Sequence, residues 1–117
     1  MVGIDNINII VHDLEAGVGL KQDQPYDGII VSRYLHRPLL PMLPEILNLG
    51  GVLIYETFMA GNERFGKPSN PNFLLHHNEL LMLYSPILSI YAFEQGEESK
   101  PKPAVMQRMC SIKTKSP

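Results

Sequence analysis

Two short apolar runs, separated by a proline-rich stretch, dominate the hydrophobic pattern of the first half of the chain. Residues 28–31 (GIIV) follow a Pro-Tyr-Asp turn signal, and residues 51–55 (GVLIY) open at a Gly-Gly break. Runs that are apolar at every position are typical of strands covered on both faces, as in a parallel sheet. The pattern therefore predicts two central parallel strands.

The segment between these runs carries apolar residues close to helical spacing between positions 39 and 49. Pro38 and Pro41 suit a first helical turn, where a missing N–H costs nothing. Pro44 is compatible with a helix that begins near Pro41, since its absent donor then still belongs to the first turn. The whole unit predicts a right-handed βαβ crossover.

Three further strands are predicted outside this unit, over residues 4–11, 87–93 and 104–113. The last two flank a polar turn over residues 94–103 and no helix, so they should form an antiparallel hairpin. The charged residues of that turn are interpreted as solvated: Glu97, Glu98, Lys100 and Lys102.

Glycine and proline content predicts loops over residues 16–25 and 59–72, and the apolar pattern predicts an amphipathic helix over residues 74–84. A loop as long as the second is more often functional than accidental.

His76 and His77 are adjacent, so on a helix their side chains would point about 100° apart, and we predict no metal site. Glu79 suits a first helical turn, which the macrodipole makes favourable for acidic residues.

Composition narrows the class of protein. The chain has 117 residues, of which 44% are hydrophobic, enough for the core of one domain over residues 1–117. Ten Lys and Arg against twelve Asp and Glu give a net charge of −2, and the absence of a basic run argues against nucleic-acid binding. The lone Cys110 is expected to be a buried, inert thiol.

The N-terminal residues have no basic region, so they do not predict a signal peptide. No apolar stretch approaches the roughly 20 residues that a membrane helix needs. We therefore expect a cytoplasmic protein without a membrane partner.

The order of the elements and three sequence strings resemble the class I S-adenosylmethionine-dependent methyltransferases. YDGIIVSRYLHRPLLPMLPEILNLGGVLIYETF resembles the family's fourth strand, Leu-His turn, helix, Pro-Gly-Gly turn and fifth strand. HDLE is similar to the acidic turn after its third strand, and GNERFGKPSNPNFLLHHNELLMLY resembles a tellurite-resistance-type, small-molecule subgroup. The resemblance implies an α/β fold: an incomplete Rossmann-like methyltransferase sheet, mostly parallel, that starts at the third strand and ends in an antiparallel hairpin.

The family's glycine-rich loop, which lies against the methionine part of the cofactor, has no counterpart in this sequence. Residues 17–19 (GVG) follow Glu15 in a loop and open no helix. The acidic residue that holds the ribose is also absent, unless Asp5 is a remnant of it. The family's strand order then leaves an apolar edge at residues 29–31, which we expect the strand over residues 4–11 or a second copy of the chain to close.

The carboxyl ends of the parallel strands should meet at one edge of the sheet, where open α/β sheets bind their ligands. The resemblance implies that Asp13 accepts from the adenine amino group and that the Leu14 N–H faces the ring. It implies that Ser32, Arg33 and Tyr34 lie along the methionine side of S-adenosylmethionine. By the residues alone, Asp13 could equally cap a turn and Tyr34 could belong to the core.

Tyr34 and His36 are the candidate catalytic residues, His36 because histidine titrates in the range useful to a general base. His36 could instead bond a backbone carbonyl at the start of the helix. At the end of the second apolar strand, Glu56 and Phe58 are assigned to the acceptor side.

Arg64 and Phe65, in the long loop, are candidates for clamping an anionic or aromatic small-molecule acceptor, although an arginine in a loop is equally often solvated. The first functional hypothesis is a methyltransferase that is weak or inactive by itself. The alternative is a non-catalytic remnant of the fold that acts by self-association or as a partner subunit. A dinucleotide-dependent oxidoreductase is disfavoured because the sequence has no GxGxxG motif.

Overall fold

The computed structural model describes residues 7–11, 26–100 and 102–114. Its strands form one sheet in the order β1-β2-β3-β5-β4. The strands are β1 (Ile7–Val11), β2 (Tyr26–Ser32), β3 (Leu47–Phe58), β4 (Ser89–Glu98) and β5 (Ala104–Ile112), and the α-helix is α1 (Glu79–Tyr84).

The centre of the sheet is parallel, as predicted. β2 lies between β1 and β3 and is parallel to both, and Val31 of β2 is in register with Val11 on one side and Tyr55 on the other. Pairing with β1 closes the apolar edge of β2 within the chain, which is the first of the two arrangements that we expected. Residues 4–6 of the predicted first strand and the predicted loop over residues 16–25 lie outside the described residues.

The two last strands form the predicted antiparallel hairpin, and β5 inserts between β3 and β4. The predicted polar turn over residues 94–103 is wrong in its first half, because β4 continues to Glu98. Polar side chains there have cross-strand partners: Glu94 lies opposite Arg108, and Gln95 lies opposite Gln107. Such pairs stabilise a strand that its own hydrophobicity does not predict.

The predicted α-helix of the crossover is wrong. The structure has two 3₁₀ turns, Arg37–Met42 and Pro44–Ile46, and β3 begins directly after them at Leu47. Prolines recur at every third position, at 38, 41 and 44, which matches the 3₁₀ repeat of three residues per turn. A proline inside an α-helix would also remove a backbone hydrogen bond.

The predicted helix over residues 74–84 is shorter than expected. Asn78 has a left-handed backbone (φ 63°), and α1 begins after it, at Glu79. Before Asn78, Leu75 forms an isolated parallel bridge to Met59, the residue after β3, so this part of the chain is extended and not helical. Asparagine tolerates the left-handed conformation, so the chain can change direction at this residue before α1 begins.

The core lies on one face of the sheet, under the 3₁₀ turns and α1. Side chains that are almost fully buried there include Ile29, Val31, Leu43, Leu53, Tyr55, Leu80 and Tyr84. On the opposite face, Ile54 is 38% exposed, and its register partners Ile30 and Cys110 are half-buried. We expected strands covered on both faces and a buried Cys110. Both expectations are wrong, because this second face of the sheet is partly exposed and Cys110 is only half-buried.

Within the described part of the chain, no helix has the length and apolar composition that a membrane crossing requires.

Candidate functional site

The candidate site is built on the carboxyl ends of β2 and β3, which lie side by side. Ser32 is in register with Glu56, and the backbone N–H of Arg33 donates to the carbonyl of Glu56 over 2.8 Å. Arg33 itself has a left-handed backbone, with φ 56°. The chain therefore turns sharply as it leaves β2 while remaining bonded to the end of β3.

Tyr55 fixes the next residue of this turn. Its hydroxyl donates to the backbone carbonyl of Tyr34 over 2.7 Å from a fully buried ring. Burial, with smaller contributions from Tyr34 and Glu79, raises the pKa of Tyr55 far above its ordinary value. The hydroxyl thus keeps its proton and remains a donor that anchors the turn after β2.

A groove of about 1240 Å³ opens at this edge of the sheet. It is bounded by the ends of β2 and β3, by the loop that follows β3, and by the hairpin between β4 and β5. Its apolar lining includes Phe58, Phe65, Pro68, Phe73 and Met106. Its charged lining consists of Arg33, Glu56, Lys67, Glu98, Lys100, Lys102 and Arg108.

Five of the site residues predicted from the sequence line this groove: Arg33, Tyr34, Glu56, Phe58 and Phe65. They come from the turn after β2, the end of β3 and the long loop, so the fold brings together residues that are far apart in the sequence. Asp13 and Leu14, predicted to contact the adenine, lie outside the described residues.

Ser32, His36 and Arg64 are not among the residues that line the groove. Ser32 is the last residue of β2, and half-buried His36 caps the first 3₁₀ turn with its carbonyl accepting from the Leu39 N–H. Arg64 pairs with Glu97 at 3.2 Å, and its guanidinium lies 5.0 Å from the centre of the Phe65 ring. Arg64 thus contacts one wall residue of the groove from outside.

Arg108 is a site residue that the sequence did not reveal. Its guanidinium lies 2.6 Å from Glu98, 3.5 Å from Glu94 and 3.6 Å from Glu56. Burial acts to lower the pKa of Arg108, but the three carboxylates outweigh it and raise the pKa. Both carboxylates that line the groove, Glu56 and Glu98, therefore already have a cationic partner.

Further lining residues that the sequence did not reveal come from the β4–β5 hairpin and from the loop after β3, where Lys67 and Phe73 line the groove. Glu98, Lys100 and Lys102, interpreted as a solvated turn, line the groove. Residues 94–98 (EQGEE) contain no apolar side chain, so they give no alternating signal that would predict a strand.

The long loop after β3 is held in place by Asn62, whose side chain is buried. Its amide donates to the Pro68 carbonyl over 3.0 Å and its oxygen accepts from the Val105 N–H over 3.0 Å. The loop wall of the groove is thereby fixed to β5. The prediction of a loop here is confirmed, with two single 3₁₀ turns within it, Asn62–Arg64 and Pro71–Phe73.

The adjacent histidines are both exposed and contact different partners. The His76 N–H donates to Glu79 over 2.7 Å, while the His77 ring lies 3.1 Å from the Gln95 amide. Among the described residues, no three His, Cys, Asp or Glu side chains cluster as metal ligands would. Glu79 begins α1 as predicted, and Arg37 contacts it at 2.8 Å.

The described strands form a sheet of parallel strands followed by an antiparallel hairpin, with a groove at its carboxyl edge. This is an incomplete Rossmann-like methyltransferase fold. It is similar to the crystal structure of TehB from Haemophilus influenzae, with a TM-score of 0.59 and 20% identity over 77% of this chain and 36% of that one. The N-methyltransferase NodS from Bradyrhizobium japonicum WM9 is also similar, with a TM-score of 0.52 and 14% identity over 77% of this chain and 53% of that one.

The chain thus spans about a third of the first protein and about half of the second. No family model matches the sequence, and no curated protein matches it. At these identities the comparisons show the fold alone.

Proposed function

We propose that this chain forms the acceptor side, from the third strand onward, of a class I S-adenosylmethionine-dependent methyltransferase domain for small molecules. The observation that carries the proposal is the meeting of the polar ends of β2 and β3 at one large groove. Arg33 and Tyr34 follow β2, while Glu56 and Phe58 end β3, and all four line the groove. Open α/β sheets bind ligands at this edge.

The end of β3 offers an aromatic ring (Phe58) and a carboxylate (Glu56) to the sulfonium end of the cofactor, and both kinds of group attract a cation. Each would share this role with a protein cation: the Arg33 guanidinium lies 6.0 Å from the Phe58 ring centre, and Arg108 lies 3.6 Å from Glu56. When bound, S-adenosylmethionine supplies a methyl group that is already activated: the S–CH₃ bond breaks as the acceptor–CH₃ bond forms, a thioether leaves, and the acceptor's proton passes to a base or to water. The work of the protein is then mainly orientation.

Orientation is what the described residues provide. The Arg33–Glu56 backbone bond and the Tyr55–Tyr34 bond hold the turn after β2 rigidly against β3. Tyr34, which lines the groove, is our candidate catalytic residue. His36 lies outside the lining, and we assign it no step. Asp13 and Leu14 are proposed to hold the adenine.

The residues do not supply the whole cofactor site, because the sequence has no glycine-rich turn between a strand and a helix. That turn would hold the carboxypropyl tail of the cofactor. We therefore propose that the 117 residues alone bind the cofactor weakly, and that full affinity requires a glycine-rich segment from a longer protein or a partner.

A second candidate function is a non-catalytic remnant of the fold. The partly exposed sheet face around Ile54, where Ile30 and Cys110 are half-buried, favours it, because exposed apolar surface can mark a contact with another chain. This candidate predicts no response of the groove to the cofactor product.

Amide NMR titration with S-adenosylhomocysteine separates the two candidates. We expect shifts at Arg33, Tyr34, Glu56 and Phe58 with a Kd in the millimolar range, that is, a binding free energy of about −4 kcal/mol. Tyr34→Phe should weaken the shifts or change their pattern. Tyr91→Phe is the matched control, because Tyr91 is exposed on β4 and does not line the groove. No shift in the groove at about 10 mM ligand would contradict the methyltransferase proposal and support the remnant.

A further inference from the structure

We infer that the acceptor is a small organic anion with a flat apolar body, an inference that rests on the proposed function of the groove. Three features of the groove carry it: an excess of cations at its lining, a set of exposed aromatic rings, and a volume far larger than a simple ion needs.

The first feature is unpaired positive charge. Both lining carboxylates are within reach of Arg108, as close as 2.6 Å for Glu98 and 3.6 Å for Glu56. Four other cations line the groove, and within residues 26–100 and 102–114 none of them forms an ion pair: Arg33, Lys67, Lys100 and Lys102. The whole chain carries a net charge of −2, so this concentration of positive charge is local. A concave site of one sign attracts ligands of the opposite sign.

The second feature is aromatic surface beside these cations. Phe65 is 39% exposed and Phe73 is 53% exposed, although both are large apolar side chains. Phe58 is half-buried, with the Arg33 guanidinium 6.0 Å from the centre of its ring. Rings that stay exposed in a groove offer stacking surfaces to a flat ligand.

The third feature is size. A groove of about 1240 Å³ compares with roughly 30 Å³ for one water in the liquid. An inorganic anion would therefore touch few of the lining residues at one time. An organic molecule of drug-like size would reach the aromatic wall and the cations together.

Burial orders these features from the mouth of the groove to its floor. Lys67, Lys100 and Lys102 are exposed, as are the Phe65 and Phe73 rings, whereas Phe58 is half-buried and Met106 is buried. The anionic group of the ligand therefore belongs at the mouth, and its apolar body belongs toward the end of β3. This orientation places the body of the acceptor next to Phe58 and Glu56, where we propose that the methyl group arrives.

Paired ligands of nearly the same shape and different charge test the inference. Benzoate and benzamide have the same shape, and inorganic phosphate is an anion without an apolar body. By amide NMR titration we expect benzoate to bind the groove at least about fivefold more tightly than benzamide, since one screened charge interaction contributes roughly 1 kcal/mol. Phosphate should shift the amides of the lysines while leaving the amide of Phe58 unchanged.

The double variant Lys100→Gln/Lys102→Gln should remove most of the benzoate preference and leave benzamide affinity unchanged. Arg64→Gln is the matched control: it removes one nearby cation that is paired with Glu97 and does not line the groove, so the preference should persist. Equal affinity for benzoate and benzamide, or no binding of either at about 10 mM, would overturn the inference.

Titration with S-adenosylhomocysteine distinguishes a failure of this inference from a failure of the proposed function. If S-adenosylhomocysteine shifts the groove but benzoate shows no preference, the anionic acceptor is wrong and the methyltransferase proposal stands. If benzoate is preferred but the cofactor product gives no shift, the groove is an anion site on a non-catalytic remnant, which overturns the acceptor role.

Discussion

Arg37 connects three parts of the molecule through one side chain. Its guanidinium forms a two-pronged bond to Glu79, at 2.9 and 2.8 Å, and also donates to the carbonyls of Asn72 and Leu74. The first 3₁₀ turn, the end of the long loop and the start of α1 are thereby joined. A planar guanidinium makes this set of bonds, whereas an ammonium cannot.

We predict that Arg37→Gln lowers the free energy of unfolding by about 2 kcal/mol, because it breaks several charge-assisted bonds and leaves Glu79 without its cation. Arg37→Lys should recover only part of this loss, since lysine keeps the positive charge but lacks the planar guanidinium that bonds both Glu79 oxygens. Urea unfolding measures both. A loss below about 0.5 kcal/mol for Arg37→Gln would show that solvent replaces these bonds.

The same pair predicts a pH dependence of stability. Burial acts to raise the pKa of Glu79, but Arg37 and the His76 N–H outweigh it and hold the pKa below its ordinary value of 4.5. A carboxyl with a lowered folded-state pKa stabilises the fold above the unfolded-state pKa and loses that contribution as the pH falls. Stability should therefore fall below pH 4.5, and less steeply in Arg37→Gln than in the parent. Equal slopes would contradict the assignment.

At the scale of elements, the start of β3 depends on close contacts that a side chain would disturb. A Cβ at Gly51 would lie 2.8 Å from the Asn48 carbonyl and 3.2 Å from the Tyr26 carbonyl. Next to it, Gly50 bonds to the Lys113 carbonyl, and the buried Lys113 ammonium donates to the carbonyls of Pro44 and Leu47. The junction between the 3₁₀ turns and β3 is therefore closed by the end of β5.

We predict that Gly51→Ala lowers the free energy of unfolding by about 2 kcal/mol, because backbone must move to admit the methyl group. Gly50→Ala is the matched control: its Cβ would meet nothing within 4 Å, but its φ of +85° is strained for alanine, at a cost of about 1 kcal/mol. Thermal or urea unfolding compares the loss of stability in the two variants. If Gly51→Ala proves no more costly than Gly50→Ala, the close approach at Gly51 is not limiting.

At the scale of the whole molecule, β1 closes the sheet beside β2. The register places Ile9, Ile10 and Val11 against residues 29–31, while β3 pairs with the same residues on the other side. Closure within the chain removes the unpaired edge of β2 that a second copy would otherwise fill. The predicted homodimer through an exposed sheet edge stays a prediction.

We predict slow amide hydrogen exchange at residues 29–31, with opening free energies close to that of global unfolding. Exposed Gly66 and Lys67 in the loop serve as the fast reference within the same sample. In a parallel sheet, alternate residues bond to opposite neighbours. Fast exchange at alternate positions of β2 would therefore show that β1 does not stay paired in solution.

The sequence predicted those site residues that lie at the carboxyl ends of the two apolar strands. Arg33, Tyr34, Glu56 and Phe58 follow from two apolar runs and from the rule that ligands lie at the carboxyl edge. Lys100 and Arg108 could not be predicted, because their place at the groove depends on how the hairpin pairs with itself and with β3. That register joins residues far apart in the chain.

The sequence by itself determined the parallel centre of the sheet, the antiparallel hairpin and the long loop. These follow from local patterns: apolar residues at every position of 28–31 and 51–55, and glycine and proline between elements. Tertiary structure alone decided the extension of β4 to Glu98 and the partly exposed face around Ile54. The physical reason is that backbone and charged groups take their conformation from the partners that satisfy them, and those partners are brought close by folding.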